Sequence, residues 1–187
     1  MKTKVPTLET DRLILRMWNK KDAPALYEYA KNPNVGPNAG WKPHASVYES
    51  RMIIKEIFLP NMCWAIVDKE SGKVIGSIGL EEDAFRPGVK SKELGYSLSE
   101  DHWKKGIMTE AAKRVIRHAF EDLKLDVLMI KTGDANIRSQ RVIEKCGFTY
   151  EGTLRRAYLL YDRSIREIRC HSMLKEEYEK LRKDGVL

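Results

Sequence analysis

Two lysines, a glycine and the start of a helix follow one another in the stretch KKGIMTE, Lys104–Glu110. A helix N-terminus has unpaired N–H groups and about half a positive charge, so it attracts anions. Gly106 can adopt backbone angles that direct consecutive N–H groups into one concavity, and Lys104 and Lys105 add positive charge. The spacing predicts a phosphate-binding turn. A plain turn beside solvated lysines is the alternative that these residues leave open.

The segments around this turn predict the elements that position it. KELGYSLS (Lys92–Ser99) is strand-like and leads into the turn, and VLMIKT is an apolar strand after the helix. NIRSQRVIEKCGF (Asn136–Phe148) predicts a second helix, with Asn136 as its cap and Gly147 as its left-handed end. From about Thr109, one helical face collects apolar residues: Ala111, Ala112, Val115, Ile116, Ala119, Phe120 and Leu123. The order strand, helix, strand favours a parallel strand pair.

The rest of the chain predicts antiparallel strands and short helices. Strand-like segments are RLILRMW, CWAIVD, KVIGSIGLEE and, near the end, TYEGTL, AYLLYD and SIREIRCHSML. DAPALYEYAK and RMIIKEIFL are helix candidates, the second preceded by a capping box of Ser46 and Glu49. Asn32–Pro43 has the composition of a loop, and the chain ends in a polar helical tail. We therefore predict an α+β protein with a mixed, mostly antiparallel sheet, a central parallel pair and flanking helices.

Length and composition limit the class of protein. The 187 residues fit one domain over residues 1–187, with a core at about residues 8–175, because domains have about 100–200 residues. No apolar run approaches the roughly 18 residues that span a bilayer, and the N-terminus has no apolar signal segment, so we expect a cytoplasmic protein. Cys63, Cys146 and Cys170 lack C-x-x-C spacing, which predicts free thiols and neither disulfides nor a metal site.

The net charge of +7 is compatible with polyanionic partners or with a solvated lysine-rich surface. The charge is spread along the chain, and no zinc finger or aromatic RNP-type motif accompanies it. This argues against nucleic acid as the main partner. A small ligand that bears phosphate remains compatible with the charge.

Two motifs together resemble the GNAT N-acetyltransferases. WKKGIM, beginning at Trp103, resembles the family's pyrophosphate loop [RQ]-x-x-G-x-[GA], and it matches neither G-x-x-x-x-G-K-[ST] nor G-x-G-x-x-G. Asn136–Phe148 resembles the family's N-x-x-S motif followed by a hydrophobic helix and G-F. The resemblance extends over essentially the whole chain, from LETDRLILR onward, and is greatest to the RimJ/RimL-like branch. Trp103 and Met108 depart from the general loop pattern, so close backbone approach there depends on Gly106.

The resemblance implies the GNAT fold and acetyl-CoA as the acetyl donor. The diphosphate of the coenzyme would contact the backbone amides of one run of residues: Lys104, Lys105, Gly106, Ile107, Met108 and Thr109. Its pantetheine arm would run along Ser97, Leu98 and Ser99 as an added strand does, and would contact Asn136. An amide near Ser97 or Leu98 would face the thioester oxygen, where one positioned donor is worth about 3–4 kcal/mol.

The resemblance also implies candidates for proton transfer. A general base assists the attack of an amine, and Glu93 occupies the strand position where family members often have one. Glu167, in the last strand-like segment, is a second candidate, and water is a third. Many family members protonate the leaving thiolate with a tyrosine seven residues after the asparagine, but Ile143 stands there. In the RimJ/RimL-like branch the serine of N-x-x-S substitutes, which indicates Ser139, one helical turn after Asn136.

Several functions remain open at this stage. An N-acetyltransferase of this kind would act on a protein N-terminus or on a small-molecule amine, and the loop around GPNAGWKPH would form the acceptor-side wall. Homodimer formation is left open. A domain that binds CoA as a sensor without catalysis, and a basic nucleic-acid-binding domain, are the alternatives from other classes.

Overall fold

The sequence periodicities become strands and helices in the computed structural model, which describes residues 5–187. The strands are β1 (Leu8–Glu9), β2 (Leu13–Met17), β3 (Met62–Asp68), β4 (Val74–Glu82), β5 (Ser91–Leu98), β6 (Val127–Gly133), β7 (Thr149–Leu159) and β8 (Ile165–Leu174). The helices are α1 (Ala23–Ala30), α2 (Gly36–Ala39), α3 (Val47–Ile53), α4 (Ile107–Glu121), α5 (Ile137–Lys145) and α6 (Lys175–Lys183). The first four residues of the predicted domain lie outside the described range.

The described chain packs as two compact units. The first comprises residues 5–80 and Tyr96–Ala111, and the second comprises Glu81–Gly95 and Ala112–Leu187. The unit boundaries therefore fall within β4, β5 and α4. That residues 1–187 act as one domain stays a prediction.

The first unit is built on an antiparallel sheet in the order β1-β2-β3-β4. Leu13 and Leu15 of β2 are fully buried and alternate with half-exposed neighbours, as the sequence pattern predicts. Trp18, Leu26 and Ile54 belong to the hydrophobic core against which α1 packs. Burial of each such side chain contributes about 1.5–3 kcal/mol to folding.

The second unit has the strand order β5-β6-β8-β7. β5 and β6 are parallel, with Ser91 opposite Val127 and Leu94 opposite Ile130. The β6–β8 and β7–β8 pairs are antiparallel. A parallel pair needs a crossover connection, and the long helix α4 lies between β5 and β6 in the chain. The predicted α+β class with a parallel pair is confirmed.

Helix α4 has the predicted apolar face. Its buried positions include Ala111, Ala112, Val115, Ile116, Ala119 and Phe120. The helix begins at Ile107, two residues earlier than the predicted start at about Thr109. It ends at Glu121, so the prediction that Leu123 continues the face is wrong; Leu123 follows the helix and is half-buried.

Helix α5 has both predicted end signals. The Asn136 side-chain oxygen accepts a hydrogen bond from the Ser139 N–H at 3.2 Å, as a helix cap does. Gly147 follows the helix with φ +82°, the left-handed conformation that glycine adopts without steric cost. Local chemistry therefore sets both ends of this helix.

Three predictions about element boundaries are wrong. Asn32–Pro43 is not loop throughout, because the four-residue helix α2 forms within it and ends at Gly40 with φ +90°. The segments TYEGTL and AYLLYD are one strand, β7, whose pairing with β8 is irregular between Leu154 and Tyr158. Ser99 lies beyond the end of β5. The polar helical tail is confirmed as α6.

Candidate active site

The turn before α4 exposes backbone amides where the sequence predicts a phosphate site. Lys104, Lys105 and Gly106 are solvent-exposed, and Lys104 and Gly106 have φ values of +62° and +75°. The first hydrogen bond of the helix runs from the Glu110 N–H to the Gly106 carbonyl at 3.0 Å. The amides of the residues between these two therefore have no partner within the helix. The arrangement can accept the oxygens of an anion.

An ion pair joins this turn to the residues that directly precede strand β2. The Arg12 Nε donates to Glu110 Oε2 at 2.6 Å, and the Arg12 Nη1 donates to the Lys105 carbonyl at 3.0 Å. Thr10 Oγ1 and the Arg12 backbone N–H donate to Glu110 Oε1 at 2.5 and 3.1 Å. We name this group of Thr10, Arg12 and Glu110 the β2–α4 clamp.

The β2–α4 clamp compensates the negative charge of Glu110, which would otherwise repel an anion at the turn. Partial burial acts to raise the pKa of Glu110, but the hydrogen bonds from Thr10 and Arg12 outweigh it and hold the pKa below its ordinary value. Glu110 therefore stays ionised, with its charge directed to Arg12. The sequence prediction missed Arg12 and Glu110, although an acid in the first turn of an anion-binding helix implies a nearby cation.

Both departures from the family's loop pattern have structural roles. The Trp103 indole N–H donates to the Leu98 carbonyl at 2.9 Å, so it joins the turn to the end of β5. Met108 is almost fully buried. Neither side chain therefore occupies the exposed turn.

The end of β5 is held from inside the first unit. Ser97 is buried, and its hydroxyl is hydrogen-bonded to Ser77 Oγ at 2.9 Å. Burial raises the pKa of the neighbouring Tyr29 phenol, while the Ser97 and Ser77 hydroxyls act in the opposite direction. Leu98 is also buried, and the Ser99 N–H donates to the Ile75 carbonyl at 2.8 Å.

A close backbone contact with β4 also fixes the end of β5. A Cβ built on Gly76 of β4 would lie 2.5 Å from the Ser97 carbonyl oxygen, which is closer than real Cβ atoms approach. Glycine at this position therefore allows β4 to lie directly against the residues predicted to line the pantetheine arm.

In the second unit, Glu93 is ion-paired with Lys131 at 2.9 Å. Desolvation raises the pKa of Glu93, and the hydrogen bond and charge of Lys131 oppose this only in part. The charges of Glu81 and Asp83 raise the pKa of Glu93 further. A carboxylate with a raised pKa is a stronger base once it is ionised.

Carboxylates outnumber cations around Glu93. Arg86 lies between Asp83 and Glu151, at 3.1 and 2.5 Å from their oxygens. Four carboxylates share two cations in this group: Glu81, Asp83, Glu93 and Glu151 with Arg86 and Lys131. The local excess of negative charge contrasts with the net charge of +7 for the chain.

Strand register separates the two candidate bases. Glu93 pairs with Met129, which pairs with Ser172, so the three side chains share one face of the sheet. Glu167 lies five positions before Ser172 on β8 and therefore points to the opposite face. Glu167 is also exposed, whereas the Glu93 side chain is mostly buried.

The acid candidate Ser139 lies in the first turn of α5. It is half-buried, and its backbone N–H is bound by the Asn136 cap. Ile143, one turn further on, is almost fully buried and serves as a hydrophobic anchor. Ile143 has no proton to donate, so Ser139 stays the candidate acid that the resemblance implies.

Residues 5–187 show neither a metal-binding cluster nor a membrane-spanning helix. No group of three or more His, Cys, Asp or Glu side chains in this range is arranged to hold a metal ion. Cys63, Cys146 and Cys170 are free thiols. None of the helices in the described part of the chain has both the length and the apolar character needed to cross a membrane.

Comparisons with known proteins agree with this geometry. Residues 12–149 match the family model of the acetyltransferase (GNAT) domain. The uncharacterized N-acetyltransferase p20 of Bacillus licheniformis is 31% identical over 177 residues, which cover 92% of this chain and 98% of that protein. The ribosomal-protein-serine acetyltransferase of Escherichia coli K12 is 33% identical over 90 residues, which cover 48% of this chain and 49% of that protein.

The fold is similar to that of solved GNAT structures. An acetyltransferase of the GNAT family from Bacillus anthracis superposes with a TM-score of 0.82 at 20% identity, over 92% of this chain and all of that one. The family and fold predicted from the two motifs are thus confirmed, and this chain belongs to the GNAT N-acetyltransferases.

Proposed function

We propose that this protein transfers an acetyl group from acetyl-CoA to a primary amine by direct attack in a ternary complex. The observation that supports this most is the turn at Lys104–Gly106, with its exposed amides at the start of α4. Acetyl-CoA, once bound, supplies an activated thioester. The residues of the chain bind it, orient it and move protons.

The turn fits a diphosphate. The positive φ values of Lys104 and Gly106 and the helix start at Ile107 present successive N–H groups beside two lysine side chains. Arg12 holds the Lys105 carbonyl and the Glu110 carboxylate away from the anion. We assign the diphosphate to the amides of residues 104–109.

The end of β5 is suited to hold the thioester. Ser77 and Trp103 restrain Ser97 and Leu98 through hydrogen bonds, so a backbone N–H there is preorganised. Such a donor, directed at the oxygen on which charge develops, is worth about 3–4 kcal/mol. We assign the pantetheine arm to Ser97, Leu98 and Ser99, with Asn136 as a further contact.

Glu93 is the base in this proposal. An amine attacks as the neutral species, and deprotonation at pH 7 costs about 4–5 kcal/mol for a lysine-like amine and about 1 kcal/mol for a peptide α-amine. Glu93 combines partial burial with a raised pKa, whereas Glu167 is exposed and lies on the other face. Glu93 would take the amine proton directly or through water, and Ser139 would donate a proton to the departing thiolate.

The charge around Glu93 favours a cationic acceptor. Four carboxylates and two cations leave a net negative charge that attracts a protonated amine before it is deprotonated. A protein N-terminus and a small polyamine both fit this requirement. The name of the Escherichia coli relative, a ribosomal-protein-serine acetyltransferase, favours a protein acceptor over a small amine. The loop around GPNAGWKPH would contact this acceptor.

The test is release of free thiol from acetyl-CoA in the presence of a panel of N-terminal peptides and small amines. We expect turnover with at least one acceptor class and none with Gly106→Val. Valine at φ +75° is strained and deforms the turn, although the space near Arg12 Nη2, 3.6 Å from an added Cβ, admits it.

Gly185→Val is the matched control. Gly185 has φ +71° and nothing within 4 Å of an added Cβ, so the backbone strain is equivalent but lies after α6, in the unit that does not contain the turn. Calorimetry should show acetyl-CoA binding by this control and none by Gly106→Val. Tight acetyl-CoA binding without turnover on any acceptor would favour the sensor function instead. Equal binding by both variants would refute the assignment of the turn.

A further inference from the structure

The ends of β7 and β8 form a hairpin whose side chains are exposed on both faces. Residues 154–169, which we name the arginine hairpin, pair with Tyr158 opposite Arg166 and Leu159 opposite Ile165. Leu159 is 68% exposed and Tyr161 49% exposed, and buried side chains in the hairpin are few. Two strands without a packed face are at best marginally stable in water. Exposed apolar area of this kind marks an interaction surface.

The charge of the hairpin indicates what it binds. Residues 154–169 contain five arginines and only two carboxylates, Asp162 and Glu167. Arg155, Arg156 and Arg163 are exposed, and none of the three makes an ion pair with a side chain in residues 5–187. These guanidinium groups are available to an external anion.

Two of the arginines have the left-handed backbone conformation that glycine adopts most easily. Arg156, in the irregular part of β7, has φ +52°, and Arg163, in the hairpin turn, has φ +67°. The turn is closed by hydrogen bonds from the Arg163 N–H to the Leu160 carbonyl at 3.0 Å and from the Leu160 N–H to the Ser164 carbonyl at 2.9 Å. A left-handed residue other than glycine costs about 1 kcal/mol. Side chains kept at this cost are expected to have a function of their own.

We propose that the arginine hairpin binds RNA. A second copy of the chain is disfavoured as the occupant, because twofold pairing of this edge would bring together arginines of like charge. An acidic protein would satisfy the charge but would not need the exposed rings of Tyr158 and Tyr161. Aromatic rings and guanidinium planes stack on unpaired bases while arginines contact phosphates. The inference does not depend on the acetyl transfer proposed above.

The test measures RNA binding by fluorescence anisotropy with a labelled single-stranded RNA oligonucleotide of mixed sequence. The wild-type protein should bind at about 50 mM salt and lose affinity steeply towards about 200 mM. The variant Arg156→Gly/Arg163→Gly should bind about tenfold more weakly. The slope of its log binding constant against log salt concentration should be smaller in magnitude by about 1.4, which is the contribution of two contacts to single-stranded phosphates. Glycine suits both backbone conformations, so the variant should fold at least as stably as the wild type.

The matched control is Lys124→Gly/Lys183→Ala. It removes the same charge outside the hairpin, and Lys124 also has a positive φ, +56°. The control should keep RNA affinity within about twofold and the full salt slope. The proposal is overturned if the wild type does not bind RNA, or if both variants lose affinity equally. It is also overturned if polyglutamate competes as an equal ligand, or if sedimentation shows that the hairpin variant only dissociates a dimer.

Discussion

Arg12→Gln should weaken acetyl-CoA binding by roughly tenfold while leaving the protein folded. Arg12 does not need to touch the ligand for this effect. It holds the Lys105 carbonyl inside the turn and compensates the Glu110 carboxylate at the start of α4. Glutamine keeps some length and polarity but removes the charge, so the β2–α4 clamp loses its ion pair.

The magnitude follows from the contacts. Arg12 is 48% exposed, so its ion pair with Glu110 is worth only about 0.5–1 kcal/mol. The hydrogen bond to the Lys105 carbonyl adds about 1 kcal/mol. A loss of about 1.5–2 kcal/mol lowers the Tm by about 3–8 °C for a chain of this size. If the turn loses the same free energy from its binding conformation, the Kd for acetyl-CoA rises at least tenfold.

Calorimetric titration with acetyl-CoA and a thermal melt on the same sample separate the two effects. Glu110→Gln added to Arg12→Gln should recover at least half of the lost affinity, because it removes the carboxylate that repels the diphosphate. The recovery should be smaller at high salt, where the repulsion is screened. An Arg12→Gln protein that melts earlier but binds acetyl-CoA as tightly as the wild type would show that the turn keeps its shape without the clamp.

Three further predictions concern the proton-transfer residues and the strand end. Glu93→Gln should reduce activity most at pH values between the raised pKa of Glu93 and the pKa of the amine. Below this range the wild type also lacks an ionised base, and above it the amine needs none. A wild-type-to-variant activity ratio that is flat across the pH profile would indicate Glu167 or water as the base. Ser139→Ala should lower kcat by more than it weakens acetyl-CoA binding, and equal losses in single-turnover and binding measurements would mean that Ser139 only positions the coenzyme. Gly76→Ala should cost about 1–3 kcal/mol in urea denaturation and weaken acetyl-CoA binding, since its Cβ displaces the Ser97 carbonyl; normal binding would separate this strand end from the site.

Local signals predicted the parts of the site that local chemistry determines. The apolar face of α4 follows from helical periodicity, and the ends of α5 follow from an asparagine cap and a left-handed glycine. The parallel pairing of β5 and β6 follows from the order strand, helix, strand. Each of these inferences needs only residues that are close in sequence.

Contacts between distant segments could not be predicted in this way. Arg12 and Glu110 of the clamp are separated by 98 positions, and no pattern in either segment indicates the other. The merging of two predicted strands into β7 depends on the continuous ladder that β8 offers, with irregular pairing between Leu154 and Tyr158. Helix α2 forms in a segment whose composition indicates only turns.

The choice between the two candidate bases shows what register adds to composition. From the sequence, Glu93 and Glu167 are both carboxylates in strands, and nothing ranks them by geometry. Because side chains alternate along a strand, the pairing of Glu93 with Met129 and of Met129 with Ser172 places Glu167 on the other face. A slip of one residue between β5 and β6 would place both carboxylates on the same face. One bound amine on one face of this sheet can therefore use only one of the two carboxylates directly, and an activity that Glu93→Gln leaves unchanged would indicate an amine on the face of Glu167, or proton transfer to water.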